Sequence, residues 1–434
     1  MRLRLLLERN GHKMAQIRRK RKSEGYGLVL AGGGCKGVYQ IGAWRALREL
    51  DIPIECVVGT SVGAMNGALV ALDCYDGAVE LWKNMSIEKG FQLPEPLKVP
   101  DNLFTLKNAN VILKELWKNH GLDITPLRRA LELLIDEDEL RASPVEYGLV
   151  TFEIKRRKGR ELYKERIPQG QMMDYIMASA AYPGLKRPEI DGKTFLDGGL
   201  YDNVPVKMLL RRHPDNIVVV NIGDTELPAD LDPSLNLYYV KPQDSLGKAF
   251  AFCPETAESK MEMGWYDTMR VFGRLAGEWM YFDPVEYRSL QAELGEDAVS
   301  GLEYAARLYG LDRLRKCATA DFIRELRDCD RISVEKFQAF RSHMDIPAMV
   351  KAAYAGQFRE YNLTSDLLLQ LSQDMLAKGE HPRLENMMEK MAPELLRAAR
   401  AMEGLRRRLG SAEAVAPSRI VRDGDPTQKL LHND

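Results

Sequence analysis

Along the first half of this 434-residue chain, short continuous apolar runs alternate with longer stretches whose apolar positions recur every three or four residues. The short runs predict strands at 26–30, 56–58, 147–153, 161–166, 194–197 and 216–222. The longer stretches predict helices at 38–50, 62–72, 75–85, 123–135 and 171–180; in the first of these Val38, Ile41, Trp44 and Leu47 fall about one turn apart. Ile217 to Ile222 is nearly continuous β-branched apolar sequence, as a central strand buried on both faces requires. Strands alternating with helices predict an α/β fold with a mostly parallel sheet. Glu161 to Lys164 and Gly192 to Thr194 read as a solvated edge strand and a turn, without chemistry.

After about residue 283 the strand signals largely stop. Residues 285–410 are helix-forming throughout. Thr364-Ser365-Asp366 is placed to cap a helix running through Gln373 to Lys378, with Gly379 to end it. Pro393 opens another helix, whose apolar stripe is Leu395, Leu396, Ala399, Met402 and Leu405. Arg397, Arg400, Arg406, Arg407 and Arg408 make its remaining surface basic. Such a stripe more often packs on its own protein than on a membrane surface. No repeat at solenoid periods is present. The expected organisation is a basic arm at 1–24, a first domain at 25–282, a helical region at 283–410 and a polar, disordered tail at 411–434. The helical region could serve as cover, oligomerisation surface or regulatory module.

Composition narrows the function classes. A formal net charge of -1 gives no global attraction to nucleic acid. The six cysteines, at 35, 56, 74, 253, 317 and 329, show no C-x-x-C spacing. Neither a metal site nor a disulfide framework is indicated, and a reducing cytoplasm is the simplest compartment. Cys35 and Cys56 read as small buried filler rather than redox groups. No apolar run approaches the roughly 18 residues a membrane span needs. Met1 to Leu7 is too short and too interrupted by arginine for a signal peptide. Arg2 to Lys22 holds nine basic residues and one acid, Glu8. That block reads as a solvated arm, or as a leader preceding a start at Met14. The sharper alternative is attraction to anionic lipid, about 1 kcal/mol per basic residue near the surface.

Three motifs carry chemistry. Gly59-Thr60-Ser61-Val62-Gly63 reads G-x-S-x-G between a strand and a helix, the context of a nucleophile elbow. Gly32 to Gly37 follows the first strand and opens the first helix, leaving backbone N–H groups for a phosphate or an oxyanion. Asp197-Gly198-Gly199 follows Phe195-Leu196 at the end of a strand. Gly32, Gly34 and Gly37 also fit a dinucleotide fingerprint. That fingerprint expects an acidic residue at the end of the next strand, where Gly59-Thr60-Ser61 stands instead, and Glu55 lies at the strand's other end. A phosphate loop of the G-x-x-x-x-G-K type fails because Val38 follows Gly37.

In order and spacing, the three motifs resemble those of the patatin-like acyl hydrolases of bacterial type. The resemblance includes Ala181-Tyr182-Pro183-Gly184 and Asn203-Val204-Pro205. It extends over roughly Tyr26 to Phe282, with Val240-Lys241-Pro242 and Gly264-Trp265-Tyr266-Asp267 near its end. It implies a three-layer α/β sandwich with a mostly parallel central sheet, followed by an all-helical region. It implies a Ser–Asp dyad: Ser61 as nucleophile and Asp197 as general base. Gly32, Gly33, Gly34 and Cys35 would supply the oxyanion hole. Lys36, Gly37, Gly59, Gly63, Gly198 and Gly199 would support the motifs, the family's D-G-A standing here as D-G-G. Asp202 and Asn203 would hold the loop around Asp197.

The histidines agree with a dyad. Of six, only His213 is a candidate partner, and it precedes the strand at 217–220 rather than following one. A carboxylate is a weak base for a serine hydroxyl. Desolvation has to raise its basicity, and the oxyanion hole has to carry much of the stabilisation. The expected activity is hydrolysis of lipid carboxylic esters, of phospholipase A or lysophospholipase type, through an acyl-enzyme without metal or cofactor. The expected partner is a lipid or phospholipid. The expected location is the cytoplasm, with peripheral contact at the inner membrane face and homo-oligomerisation left open. The stretch 91–110, with Leu93, Leu97, Leu103, Phe104 and Leu106, is either a connector or a rim over an acyl groove. The alternative function is a catalytically silent or tightly regulated lipid-binding protein on the same fold.

Overall fold

The computed structural model describes residues 25–92, 121–212, 214, 216–341, 364–378 and 382–413. They form two compact units divided between Leu275 and Ala276. The expected basic arm, nearly all of the 91–110 stretch, His213 and the tail beyond Glu413 lie outside the described residues.

The first unit opens with β1 (Tyr26–Leu30), a 3-10 turn at Gly34–Gly37, α1 (Val38–Glu49), β2 (Ile54–Thr60) and α2 (Val62–Ala71). It continues with α3 (Tyr75–Asn84), α4 (Ile87–Gly90), α5 (Thr125–Glu132), α6 (Glu137–Ala142), β3 (Glu146–Glu153), β4 (Lys158–Tyr163) and α7 (Met172–Ser179). It ends with β5 (Glu189–Ile190), β6 (Lys193–Asp197), α8 (Val206–Leu210), β7 (Asn216–Val220), β8 (Asn236–Val240) and α9 (Ala257–Val271). The sheet runs β5-β6-β3-β2-β1-β7-β8, with β4 also paired to β3. β8, β7, β1, β2 and β3 are parallel, while β4, β5 and β6 add antiparallel pairs. This is the expected α/β architecture. Its parallel core puts Leu30 opposite both Gly59 and Val220, so the glycine loop and Ser61 leave the sheet at the same edge.

Helix α2 is buried at all ten positions, which is why its sequence is apolar or small on every face. It lies against β2 and β3, where the Tyr147 hydroxyl donates to the Ala64 carbonyl at 2.8 Å. Helices α1 and α9 pack on each other and share a buried bond from the Tyr39 hydroxyl to Asp267, 2.8 Å. Some boundaries differ from expectation. The edge strand β4 begins and ends earlier, because Lys164 turns away to donate to the carbonyls of Leu140, Ser143 and Val145. Strand β8 carried no usable signal: its residues are mostly half-exposed at a sheet edge. Helix α9 was hidden by its polar composition and an internal glycine, Gly264.

The second unit contains β9 (Tyr281–Phe282), α10 (Pro284–Leu294), α11 (Glu296–Tyr309), β10 (Lys316–Cys317) and α12 (Thr319–Arg341). α13 (Ser365–Lys378), α14 (Pro382–Met391) and α15 (Pro393–Glu413) follow. It is not all-helical, since β9 and β10 pair in parallel. It also starts before the expected boundary, at Ala276 rather than 283. The reason is a buried carboxylate. Glu303, fully buried on α11, accepts the backbone N–H groups of Glu278, Trp279 and Met280 and the Tyr287 hydroxyl. Those bonds anchor the segment before β9 in the second core, where Met280 and Phe282 are fully buried.

The stripe on α15 packs inward: Leu396, Ala399, Met402 and Leu405 are buried against this core. Its basic face is met by acids, Arg397 by Asp297, Arg400 by Glu385 and Arg406 by Asp330. No helix among the described residues is long and apolar enough to cross a membrane.

Replacing Glu303 with Leu strands three N–H donors, those of Trp279 and Met280 buried, and is expected to cost about 3–5 kcal/mol in urea unfolding. Glu303→Gln keeps one acceptor oxygen and is expected to cost less. Equal costs would mean that packing volume, not acceptor chemistry, holds the segment.

Candidate active site

Ser61 sits between β2 and α2 with φ 57° and ψ -126°, a backbone conformation that costs a non-glycine residue of order 1–3 kcal/mol. The neighbouring glycines make it attainable. A Cβ on Gly59 would lie 2.1 Å from the Gly63 carbonyl oxygen, and one on Gly63 would lie 2.1 Å from that of Leu30. The turn is also bolted from the side. Ser61 N–H donates to Ser179 Oγ at 2.9 Å, and the Ser179 hydroxyl donates to the Val150 carbonyl at 2.6 Å. The strained residue therefore has its own amide satisfied while its Oγ points out of the turn.

Asp197 is the last residue of β6, opposite Thr151 of β3. It is 5% exposed. Its carboxylate accepts the Gly199 N–H at 2.7 Å, and the Ser61 side chain also acts on it to lower its pKa. Burial raises its pKa, those two groups lower it, and burial wins: the value is pushed from 3.8 up to about 6. The loop beyond is tied to both other motifs. Thr60 Oγ1 donates to the Asp202 carbonyl at 2.8 Å, and Gly32 N–H donates to the Asn203 carbonyl at 3.1 Å. The Asn203 side chain returns a bond to the Gly32 carbonyl at 3.3 Å.

The glycine loop divides its donors. Gly32 N–H is spent on Asn203, and Cys35 N–H on the Ala249 carbonyl at 2.8 Å, so neither is free for an oxyanion. Gly33 and Gly34 face the cavity, and their N–H groups meet no acceptor among the described residues. Gly34 has φ 62°, and a Cβ there would lie 2.1 Å from the Ala249 carbonyl oxygen. Lys36 is half-buried and outside the cavity wall, and Gly37 packs against Val62. The Cys35 thiol is buried against the carbonyls of Lys248 and Ala251, and burial raises its pKa. Burial pushes Cys56 up to about 12. Both stay protonated near neutral pH, as filler should.

Ser61, Asp197, Gly33 and Gly34 open on one cavity of about 300 Å³. Its wall is apolar: Met65, Leu81, Trp82, Met85, Leu127 and Leu131 among others. Phe250 and Phe252 close it opposite, Phe250 against Tyr182 with ring centroids 5.0 Å apart and Phe252 against Phe91 at 5.7 Å. Gly198 and Gly199 carry the turn after Asp197. Ser179, Trp82, Phe250 and Phe252 escaped the sequence reading, because each is an unremarkable side chain until the fold brings it to the cavity. None of the six histidines is among the described residues. No described group of three His, Cys, Asp or Glu residues is arranged to hold a metal.

Residues 28–210, which contain all three motifs, match the model of the patatin-like phospholipases. The chain carries a patatin-like phospholipase domain. Its chain is 26% identical over 272 residues to lysophospholipase NTE1 of Kluyveromyces lactis, covering 60% of this chain and 17% of that protein. It is 30% identical over 221 residues to lysophospholipase nte1 of Aspergillus terreus, covering 49% and 13%. The chain thus spans less than a fifth of the length of these curated relatives. Among solved structures it is similar to VipD from Legionella pneumophila, at 15% identity over 91% of this chain and 89% of that one, with a TM-score of 0.35.

Two outcomes follow from the patatin-like site. Asp197 binds its proton more tightly folded than unfolded, so its contribution to stability is full below pH 3.8 and lost as pH rises through about 6. By neutral pH the loss is roughly 3 kcal/mol. Asp197→Asn is expected to raise the urea midpoint at pH 7 and leave it nearly unchanged near pH 3.5. Ser179→Ala removes the acceptor of the Ser61 N–H and one donor to the Val150 carbonyl and is expected to cost about 1–3 kcal/mol by the same measurement.

Proposed function

We propose that the patatin-like domain hydrolyses lipid carboxylic esters through a Ser61–Asp197 dyad. The observation that carries this reading is Ser61 and a buried, basicity-raised Asp197 opening together on one apolar cavity, with the Ser61 side chain near enough to act on the Asp197 carboxylate. Ser61 Oγ attacks the ester carbonyl while its proton passes to Asp197. The oxyanion is held by the N–H groups of Gly33 and Gly34, the two the loop leaves uncommitted. The tetrahedral intermediate collapses, the C–O bond to the alcohol breaks, and Asp197 returns its proton to the leaving oxygen. Water then gives a proton to Asp197 and attacks the acyl carbon. The fatty acid leaves, and Ser61 recovers its proton.

The apolar wall supports an acyl chain as the buried part of the substrate. A cavity of about 300 Å³ is modest for a drug-sized ligand and favours one acyl chain over two. A single-chain phospholipid also agrees with the names of the lysophospholipase relatives. We place the enzyme in the cytoplasm, meeting its substrate at a membrane face without spanning it.

The test is fluorophosphonate labelling read by intact mass, with turnover of a short ester measured in parallel. Wild type is expected to take one adduct, lost in Ser61→Ala, with turnover down by at least about a thousandfold. Turnover retained in Ser61→Ala or Asp197→Asn would falsify the dyad. Because Asp197 must be ionised to act, kcat/KM is expected to fall tenfold per pH unit below about 6 and to level off above it. A profile flat from pH 5 to 8 would exclude Asp197 as the base.

A further inference from the structure

We propose that Asn66 is a positioning residue that sets the two uncommitted N–H groups of the glycine loop, held in register by Trp82 from the cavity wall. The inference rests on the hydrolase reading above. Asn66 lies on α2 and is 1% exposed. Its Nδ2 donates to the Gly37 carbonyl at 3.0 Å and to Gln40 Oε1 at 2.8 Å. Gln40, equally buried, passes the connection on: its Nε2 donates to the Ala31 carbonyl at 2.8 Å. Ala31 immediately precedes the glycine loop and Gly37 closes it. The two amides therefore clamp the loop at both ends, with Gly33 and Gly34 between them.

An amide in this place has two orientations, and only one presents both N–H groups to Gly37 and Gln40. Trp82 selects it. The indole Nε1–H donates to Asn66 Oδ1 at 3.0 Å, and an indole has no acceptor to offer the reversed amide. Every polar atom of this chain of contacts has a partner, so the network is rigid rather than merely tolerated. It shares α2 with the elbow, since Ser61 caps the N-terminus of the helix that carries Asn66. Nucleophile and oxyanion donors are thus referenced to one helix. Trp82 and Asn66 both line the acyl cavity, so the support of the loop stands where the substrate chain would lie.

The test uses the full chain and three variants: Asn66→Leu, Gln40→Met and Trp82→Phe, the last keeping an aromatic side chain while removing the indole donor. Active sites are titrated with a fluorophosphonate, and kcat is expressed per labelled site, so loss of folded protein does not enter. Asn66→Leu is expected to lower kcat about tenfold or more with KM for a short ester within about twofold, because the loss falls on the transition state. The rate of labelling should fall in parallel, since phosphonylation uses the same N–H groups. Gln40→Met and Trp82→Phe are expected to show the same split at smaller size, and they carry the test if Asn66→Leu does not fold. Unchanged kcat per site in the folded variants, with only thermal stability lowered, overturns the inference and leaves the hydrolase reading intact. A folded wild type that neither labels nor turns over ester overturns that reading and this inference with it.

Discussion

The backbone of Ser61 is the constraint to which the candidate active site is fitted. A serine at φ 57° is uphill in isolation and survives only where its surroundings leave no relaxed alternative. Here β2 and α2 approach so closely that Gly59 and Gly63 touch backbone at positions a methyl would occupy. That approach requires a helix free of large polar side chains, and α2 is buried on every face. It also requires β1 and β2 in their observed register, because Gly63 rests on the carbonyl of Leu30, the residue paired with Gly59. Strain at one residue is thus distributed over a strand pair, a helix and the Ser179 bridge.

The second tension is between acidity and burial at Asp197. Two donors are too few to offset the loss of water around a carboxylate that is 5% exposed. On the proposed dyad, a third donor would calm the charge and weaken the base, and the fold instead tolerates an unfavourable ionised group where the proposed proton abstraction needs one. This is the ordinary exchange of stability for reactivity at a functional site.

How much of this was legible depended on how local each signal was. Ser61 and Asp197 could be read because strand, glycine and chemistry lie within five residues of each other in each motif. The parallel core was legible because buried strands such as Ile217 to Val220 are apolar on both faces. The division of labour in the glycine loop was not legible. Whether Gly32 and Cys35 keep their N–H groups free is decided by Asn203 and Ala249, far away in the chain. The same holds for Ser179, an ordinary serine in Met-Ala-Ser-Ala, and for Asn66 among the small residues of α2. The boundary between the units was misplaced for a related reason. Nothing in Glu278-Trp279-Met280 announces that a carboxylate on α11 will hold its backbone.

The central position of β1 sets a schedule for synthesis. Its partner on one side, β2, follows at once, but its partner on the other, β7, begins only at Asn216. A nascent chain that has already made both Ser61 and Asp197 still presents one open strand edge, Tyr26 to Leu30, backed by apolar side chains. Such an edge is a template for wrong pairing until β7 arrives to cover it. The long interval between β1 and β7 makes closure a slow, non-local event. Ribosome stalling or truncation between Asp197 and Val220 therefore leaves a fragment that holds both Ser61 and Asp197 with its core unsealed, a substrate for chaperones.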